Sequence, residues 1–300
     1  MRKRVVRWSL IGICLLLVAV VGVLLFYASP SSFPPVPQPN GYDALTRAAS
    51  KLVRPPDTVK ALSTERLAEA MDGNRAALEE LRRALEVPGV VTVQMSESWF
   101  TVHGPELMNL KAAAFVLDGD AELRSRRGDT NSALLSALDG LRLGGAVQRG
   151  GVLIDFLVGA ACEAIAVRRL TNLMAGLGVE DCKQALLALQ EHEARRDSLE
   201  AVQKREKEWS RRTFGVLKRI GMAIRSRSLR PDKNLEFLIP YAVKDYNSRT
   251  REVRLVLLRM AARAHTLERG IAPAKAADLV PAYLQRLPLD PETGKPLDLP

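Results

Sequence analysis

The chain has 300 residues, of which 47% are apolar and 26% charged, with a net charge of +10 and aromatics at only 5%. Few aromatics beside abundant Ala, Leu, Arg and Glu exclude an all-β sandwich and favour an all-α fold. Three cysteines exclude a disulfide scaffold, and three histidines, His103, His192 and His265, leave little material for a metal site.

The first element is the most sharply defined. Arg2, Lys3, Arg4 and Arg7 precede Leu10 to Phe26, a run of 17 residues without a charge, flanked by Trp8 and Tyr27. From Trp8 to Ala28 a helix rises about 31 Å, which matches a hydrocarbon core of about 30 Å. A cleavable signal has an apolar run of only about 7–15 residues and a small-residue cleavage site. Here the candidate Ala28-Ser29 runs into Pro30, so the segment is expected to stay as a signal anchor. A buried core helix, the plainer alternative, gives no reason for four leading cations and a proline-rich exit. Ile13 before Cys14 does not fit a lipoprotein box, and a prepilin's processing glycine and early glutamate are missing. The cations set residues 1–7 on the cytoplasmic side, residues 8–28 in the membrane and the remainder outside.

Residues 29–40 carry five prolines and read as a semi-rigid spacer. Beyond it, residues 41–270 read as a bundle of antiparallel helices. Tyr42, Leu45, Ala49 and Leu52 form a short stripe ended by Pro55-Pro56. Leu67, Met71, Asn74, Leu78, Leu81 and Leu85 then mark a seam in which Asn74 should cap or bridge a neighbouring backbone. Ser63 or Thr64 offers the N-cap, and Pro88-Gly89 the stop.

Residues 90–104 read as a short strand or ordered loop, with Pro105 at a first helical position. Leu107, Leu110, Ala114, Leu117 and Ala121 continue a helix, Gly128-Asp129 turns the chain, and Leu134, Leu135, Leu138 and Leu141 return. This pair is similar to one tetratricopeptide hairpin, without the further repeats a solenoid needs. Val152 to Val167 is apolar enough to suggest a second span, but Asp155 and Glu163 argue for a central buried helix. Both carboxylates then need arginine or backbone partners. Cys162 and Cys182, placed on successive antiparallel helices about 20 Å apart, are too distant for a disulfide and read as small buried side chains.

Asp181 offers the next cap, and Asp197 with Glu200 a capping box before a helix bearing Trp209, Val216, Ile220 and Ala223. Around that helix ten cations face only Glu206 and Glu208, with Lys204, Arg205, Lys207, Arg211, Arg212, Lys218 and Arg219 as the candidate basic surface. The plain reading is a solvated helix face; the functional one is contact with anionic lipid heads or an acidic polymer. No nucleic-acid motif accompanies it, so nucleic acid is not an expected partner. Arg230-Pro231-Asp232 breaks the helix, and Val253, Val256, Leu257, Met260, Ala264 and Leu267 face inward from the last one, closed by Gly270. Residues 271–300 read as a helical turn followed by a hooked loop, since Asp290-Pro291-Glu292-Thr293-Gly294 is strong turn chemistry.

Three segments together, Asn40-Gly41-Tyr42-Asp43, Arg149 to Asp155, and Leu279-Val280-Pro281 with Asp290 to Leu297, resemble an uncharacterised family of bacterial signal-anchored, mainly helical exported proteins. The tail is also similar to a segment of exported, pseudopilin-like proteins that follows Gly-x-Tyr-Pro, where this chain has Gly270-Ile271-Ala272-Pro273 without the aromatic. The resemblance implies a single-pass protein of the bacterial inner membrane with an extracytoplasmic body. It brings no activity, ligand or catalytic residue.

No Gly-x-Ser-x-Gly elbow, phosphate loop, dinucleotide fingerprint or His-Glu-x-x-His pair is present, and no cofactor is expected. Asp155 and Glu163 lie about 12 Å apart along a helix and about 80° around it, poorly placed for a glycosidase pair. The expected role is a non-catalytic interaction or scaffold module of the cell envelope with a protein partner. The alternative is an envelope hydrolase or lytic enzyme using dispersed acids such as Glu97, Asp155 and Glu163.

Overall fold

The computed structural model describes residues 31–55, 59–225 and 231–299, the side chains of 215–239 excepted. Pro34 onward forms one unit; Met1–Phe33 is a separate unit of which only residues 31–33 are described. The anchor expected at 8–28 lies outside the described residues, and among the described residues no helix is long and apolar enough to cross a membrane. Those residues hold eight α-helices and no strand.

Asn40 opens α1 (Gly41–Ala49) by accepting the Tyr42 N–H, and the same side chain bonds Val90 through both its backbone groups. Pro34 lies against Gly150, where an added Cβ would stand 2.8 Å from the proline ring. The second half of the expected spacer is therefore laid on the body, held by these contacts. The chain leaves α1 at Ala49, and Leu52 is buried beyond its end.

Ser63 caps α2 (Thr64–Glu86), which buries Leu67, Met71, Asn74, Leu78 and Leu81. Asn74 does bridge a neighbour: its amide accepts from Val53 N–H at 2.7 Å and donates to Val53 C=O at 2.9 Å. Val90 and Val91 are buried in an ordered loop that ends sooner than the 90–104 reading implies. Helix α3 spans Trp99–Arg126 and takes Pro105 into its interior, not at its first turn. Trp99, His103, Leu107 and Leu110 recur at helical spacing on one buried face. Burying that face offsets the hydrogen bond a proline removes.

Asp129 caps α4 (Thr130–Gln148) after the expected Gly128 turn. Helix α5 (Leu153–Leu173) is the buried centre, with Phe156, Ala160, Cys162 and Leu170 fully enclosed. It crosses α4 where two glycines meet: a Cβ on Gly144 would stand 2.5 Å from Glu163 Cγ, and one on Gly159 2.6 Å from the Gly144 carbonyl. Only hydrogen fits at either position.

Helix α6 spans Val179–Ala194. Its cap is Gly178 and not Asp181, which sits inside the first turn and accepts the Gly178 N–H at 3.1 Å. Helix α7 (Leu199–Arg225) is likewise capped by Ser198, whose hydroxyl accepts the Ala201 N–H. Asp197 is drawn away from that role by Gly150 N–H and Arg205. Helix α8 (Pro231–Arg269) buries Val253, Val256, Leu257, Met260 and Ala264 against α5 and α6, while Leu267 is exposed. Cys162 and Cys182 are free and buried. Of the apolar stripe read on α7, Trp209 is buried; Val216, Ile220 and Ala223 fall outside the described side chains.

The tail forms a short 3-10 turn at Ala276–Leu279 and then a hook closed by a bridge between Leu289 and Pro296. Asp290 accepts the N–H groups of Glu292 and Thr293, which fixes the turn. Arg251 and Arg254 of α8 hold the hook through Asp290 and the Leu289 carbonyl.

Candidate functional site

The two carboxylates singled out in the sequence are buried, and each has its own partners. Asp155, fully enclosed, accepts the Val152 N–H at 2.8 Å and meets His103 Nε2 at 2.5 Å. The His103 ring stacks on Trp99 at 4.3 Å, and its Nδ1 reaches Glu106. Burial opposes the imidazolium, but the hydrogen bond and charge of Asp155, then Glu106, outweigh it and raise the His103 pKa. The Tyr42 ring lies 6.4 Å from His103, its hydroxyl buried without a hydrogen-bond partner among the described residues. Burial first, and the Asp155 charge second, push that phenol far above its ordinary range. Enclosed by Trp99, with Trp209 beyond it, this group reads as an internal brace.

Glu163 is 1% exposed, accepts from Gln148 Nε2 at 2.6 Å, and lies at ion-pair distance from His192 Nε2 (2.9 Å) and Arg196 Nη2 (3.1 Å). Burial alone raises a carboxyl pKa; here Arg196 and His192 overcome it and the group sits below the usual range. His192 carries the cluster to the protein surface, where it helps line a cleft of about 600 Å³. The third histidine, His265, donates from Nδ1 to the Ile271 carbonyl.

The cleft lies between α1, α2, α4 and α6, and its polar lining is dominated by arginine. On one wall Arg82 pairs with Asp120 at 2.6 Å and Asp139 at 3.1 Å and donates to Ser136. Arg124 shares Asp120, and Arg142 pairs with Asp139 at 3.0 Å. Burial opposes ionisation of Asp120, yet bonds from Ser136, Arg124 and Arg82 hold its carboxyl low. Asp139 shifts the other way, raised by burial that Arg82 and Arg142 only partly offset. On the opposite wall Arg195 pairs with Glu191. Arg149, half-buried between these walls, has no ion pair or side-chain hydrogen bond among the described residues.

Glu97, Asp155 and Glu163 are not brought together on this cleft; none of them lines it. The candidate basic surface also divides. Lys204, Lys207 and Arg211 are exposed, while Arg212 pairs with Glu208 at 2.8 Å. Arg205 does not belong to that surface. It is 4% exposed and donates to the Gly151 carbonyl at 2.7 Å and to Asp197 at 2.5 Å. Lys218 and Arg219 lie outside the described side chains. Among the described residues no group of three or more His, Cys, Asp or Glu is placed to hold a metal ion.

Sequence reasoning missed the arginine-lined cleft, because Arg82 and Arg142 come from two helices and Arg195 from just beyond the end of a third, and each looks like an ordinary surface cation in its own window. One signal was available in Arg149-Gly150-Gly151, a cation on a glycine turn. Fold and site define a helical-bundle protein with an arginine-lined cleft. No family model, curated protein or solved structure matches the chain.

Proposed function

We propose that this chain is a membrane-tethered binding module of the bacterial cell envelope. Residues 8–28 anchor it in the inner membrane, the body stands outside the cytoplasm, and the cleft receives a partner. The observation that supports this reading most directly is the cleft itself. At about 600 Å³ it falls within the size of ligand pockets, about 300–1,000 Å³, and its charged wall is held by a preformed ion-pair network. The hydrolase alternative lacks comparable support, since Asp155 is engaged with His103 and Glu163 with His192 and Arg196. Exposed Lys204, Lys207 and Arg211 suit a supplementary contact with anionic lipid or polymer.

Two measurements on the full chain in native membranes test the reading. Protease added to spheroplasts should digest the body while the protein stays with the membrane after carbonate washing; a protected or freely soluble body refutes the tether. A photo-crosslinking residue at Leu135, on the cleft, should give a discrete adduct that the same residue at exposed Leu187 does not. Identical patterns at both positions refute the cleft as the binding place.

A further inference from the structure

Arg149 differs from every other arginine of the cleft. Arg82, Arg124, Arg142 and Arg195 each have a carboxylate within ion-pair distance. Arg149 has none among the described residues: Glu191 and Asp197 act on it only at longer range, and the charge of Arg195 repels it. Both arginines line the same cleft, and a half-buried guanidinium near a second one is unfavourable unless an anion joins them.

Its backbone is fixed all the same. The Arg149 carbonyl accepts the Val91 N–H at 2.9 Å, the Gly150 N–H donates to Asp197 at 2.9 Å, and the Gly151 carbonyl accepts from Arg205. Gly150 has φ +74°, which a side chain would strain, and Pro34 and Val90 close over it. A rigid turn therefore holds at the cleft a cation with no carboxylate in ion-pair contact among the described residues. Proteins keep such an arrangement where a ligand supplies the missing charge.

We infer that the cleft binds an oxyanion, a carboxylate or phosphate group, between Arg149 and Arg195, with the apolar body of the ligand against Leu85, Leu135 and Ala188. Arginine forks match both groups in two-point geometry, and the three apolar residues line the same cleft. The inference rests on the cleft being the place where a partner is received.

The test uses the full chain in nanodiscs of neutral lipid, with inorganic phosphate and acetate as separate probes and chloride at matched ionic strength as the baseline. Phosphate or acetate should raise the melting temperature saturably, and Arg149→Gln should abolish that response while Lys207→Gln keeps it. The stronger probe assigns the ligand's group, phosphate ester or carboxylate. Ligand-free Arg149→Met should also melt no lower than wild type, because it breaks no ion pair, whereas Arg82→Met breaks two and should melt lower. A wild-type protein indifferent to both probes, or an unchanged response in Arg149→Gln, overturns the inference. If the Leu135 adduct persists unchanged in Arg149→Gln, the cleft still binds and only the anion assignment fails; if wild type forms no such adduct, both fail.

Discussion

His103 and Asp155, on α3 and at the start of α5, share a buried hydrogen bond of 2.5 Å that joins the aromatic cluster around Trp99 to the centre of the bundle. Asp155 also closes the first turn of α5 through the Val152 N–H, so one carboxylate serves both a helix start and a helix contact. Removing either member leaves the other charged or polar group enclosed.

His103→Leu is expected to lose about 3–5 kcal/mol, the cost of a buried pair with one partner missing, read as a lower urea midpoint. The pH dependence follows from the raised His103 pKa. The stabilisation is full below the unfolded-state value of about 6.5 and is lost as pH rises through the higher folded-state value. Wild-type stability should therefore decline above about pH 6.5, and His103→Gln should lack that decline. Equal slopes in the two proteins would refute the pair's contribution.

Glu163 gives the opposite slope. Its folded-state pKa is lowered, so its contribution is present above about pH 4.3 and is lost as pH falls through the folded-state value. Glu163→Gln removes the buried counter-charge shared by Arg196 and His192, leaving Arg196 with Glu193, and should lose about 3–5 kcal/mol near neutrality. Acid titration of unfolding should be flatter in the variant than in wild type; a superimposable profile would count against the ion cluster.

The crossing of α4 and α5 makes a paired comparison possible. Alanine at Gly144 would press on Glu163 Cγ and the Glu163 backbone, and should destabilise by about 1–3 kcal/mol or more. Alanine at Gly73, exposed in α2 with nothing within 4 Å, should stabilise by about 0.5–1 kcal/mol. Thermal melts that fail to separate the two variants would show that the helices are not so closely opposed.

Arg205 and Arg211 are alike in the sequence and differ in the fold. Arg205→Met removes the donor to the Gly151 carbonyl and the partner of Asp197, and should lose about 2–4 kcal/mol. Arg211→Met, on an exposed site, should stay within about 0.5 kcal/mol of wild type. Equal urea midpoints would return Arg205 to the basic surface.

Helical periodicity, read residue by residue, determined much of this protein. Leu67, Met71, Leu78 and Leu81 are buried because their spacing repeats with the helix, and Asn74 on that seam needed a backbone partner, which is Val53. The turn at Gly128-Asp129 and the hook at Asp290 followed from local backbone chemistry, and the burial of Asp155 and Glu163 from the apolar run around them. Only tertiary structure decided what those side chains meet. His103 comes to Asp155 from 52 positions away, Arg196 to Glu163 from the loop after α6, and Arg205 leaves its basic stretch to hold the turn that presents Arg149. A period states which face of a helix turns inward. It carries no record of which neighbour waits there, and charge pairing depends on that neighbour alone.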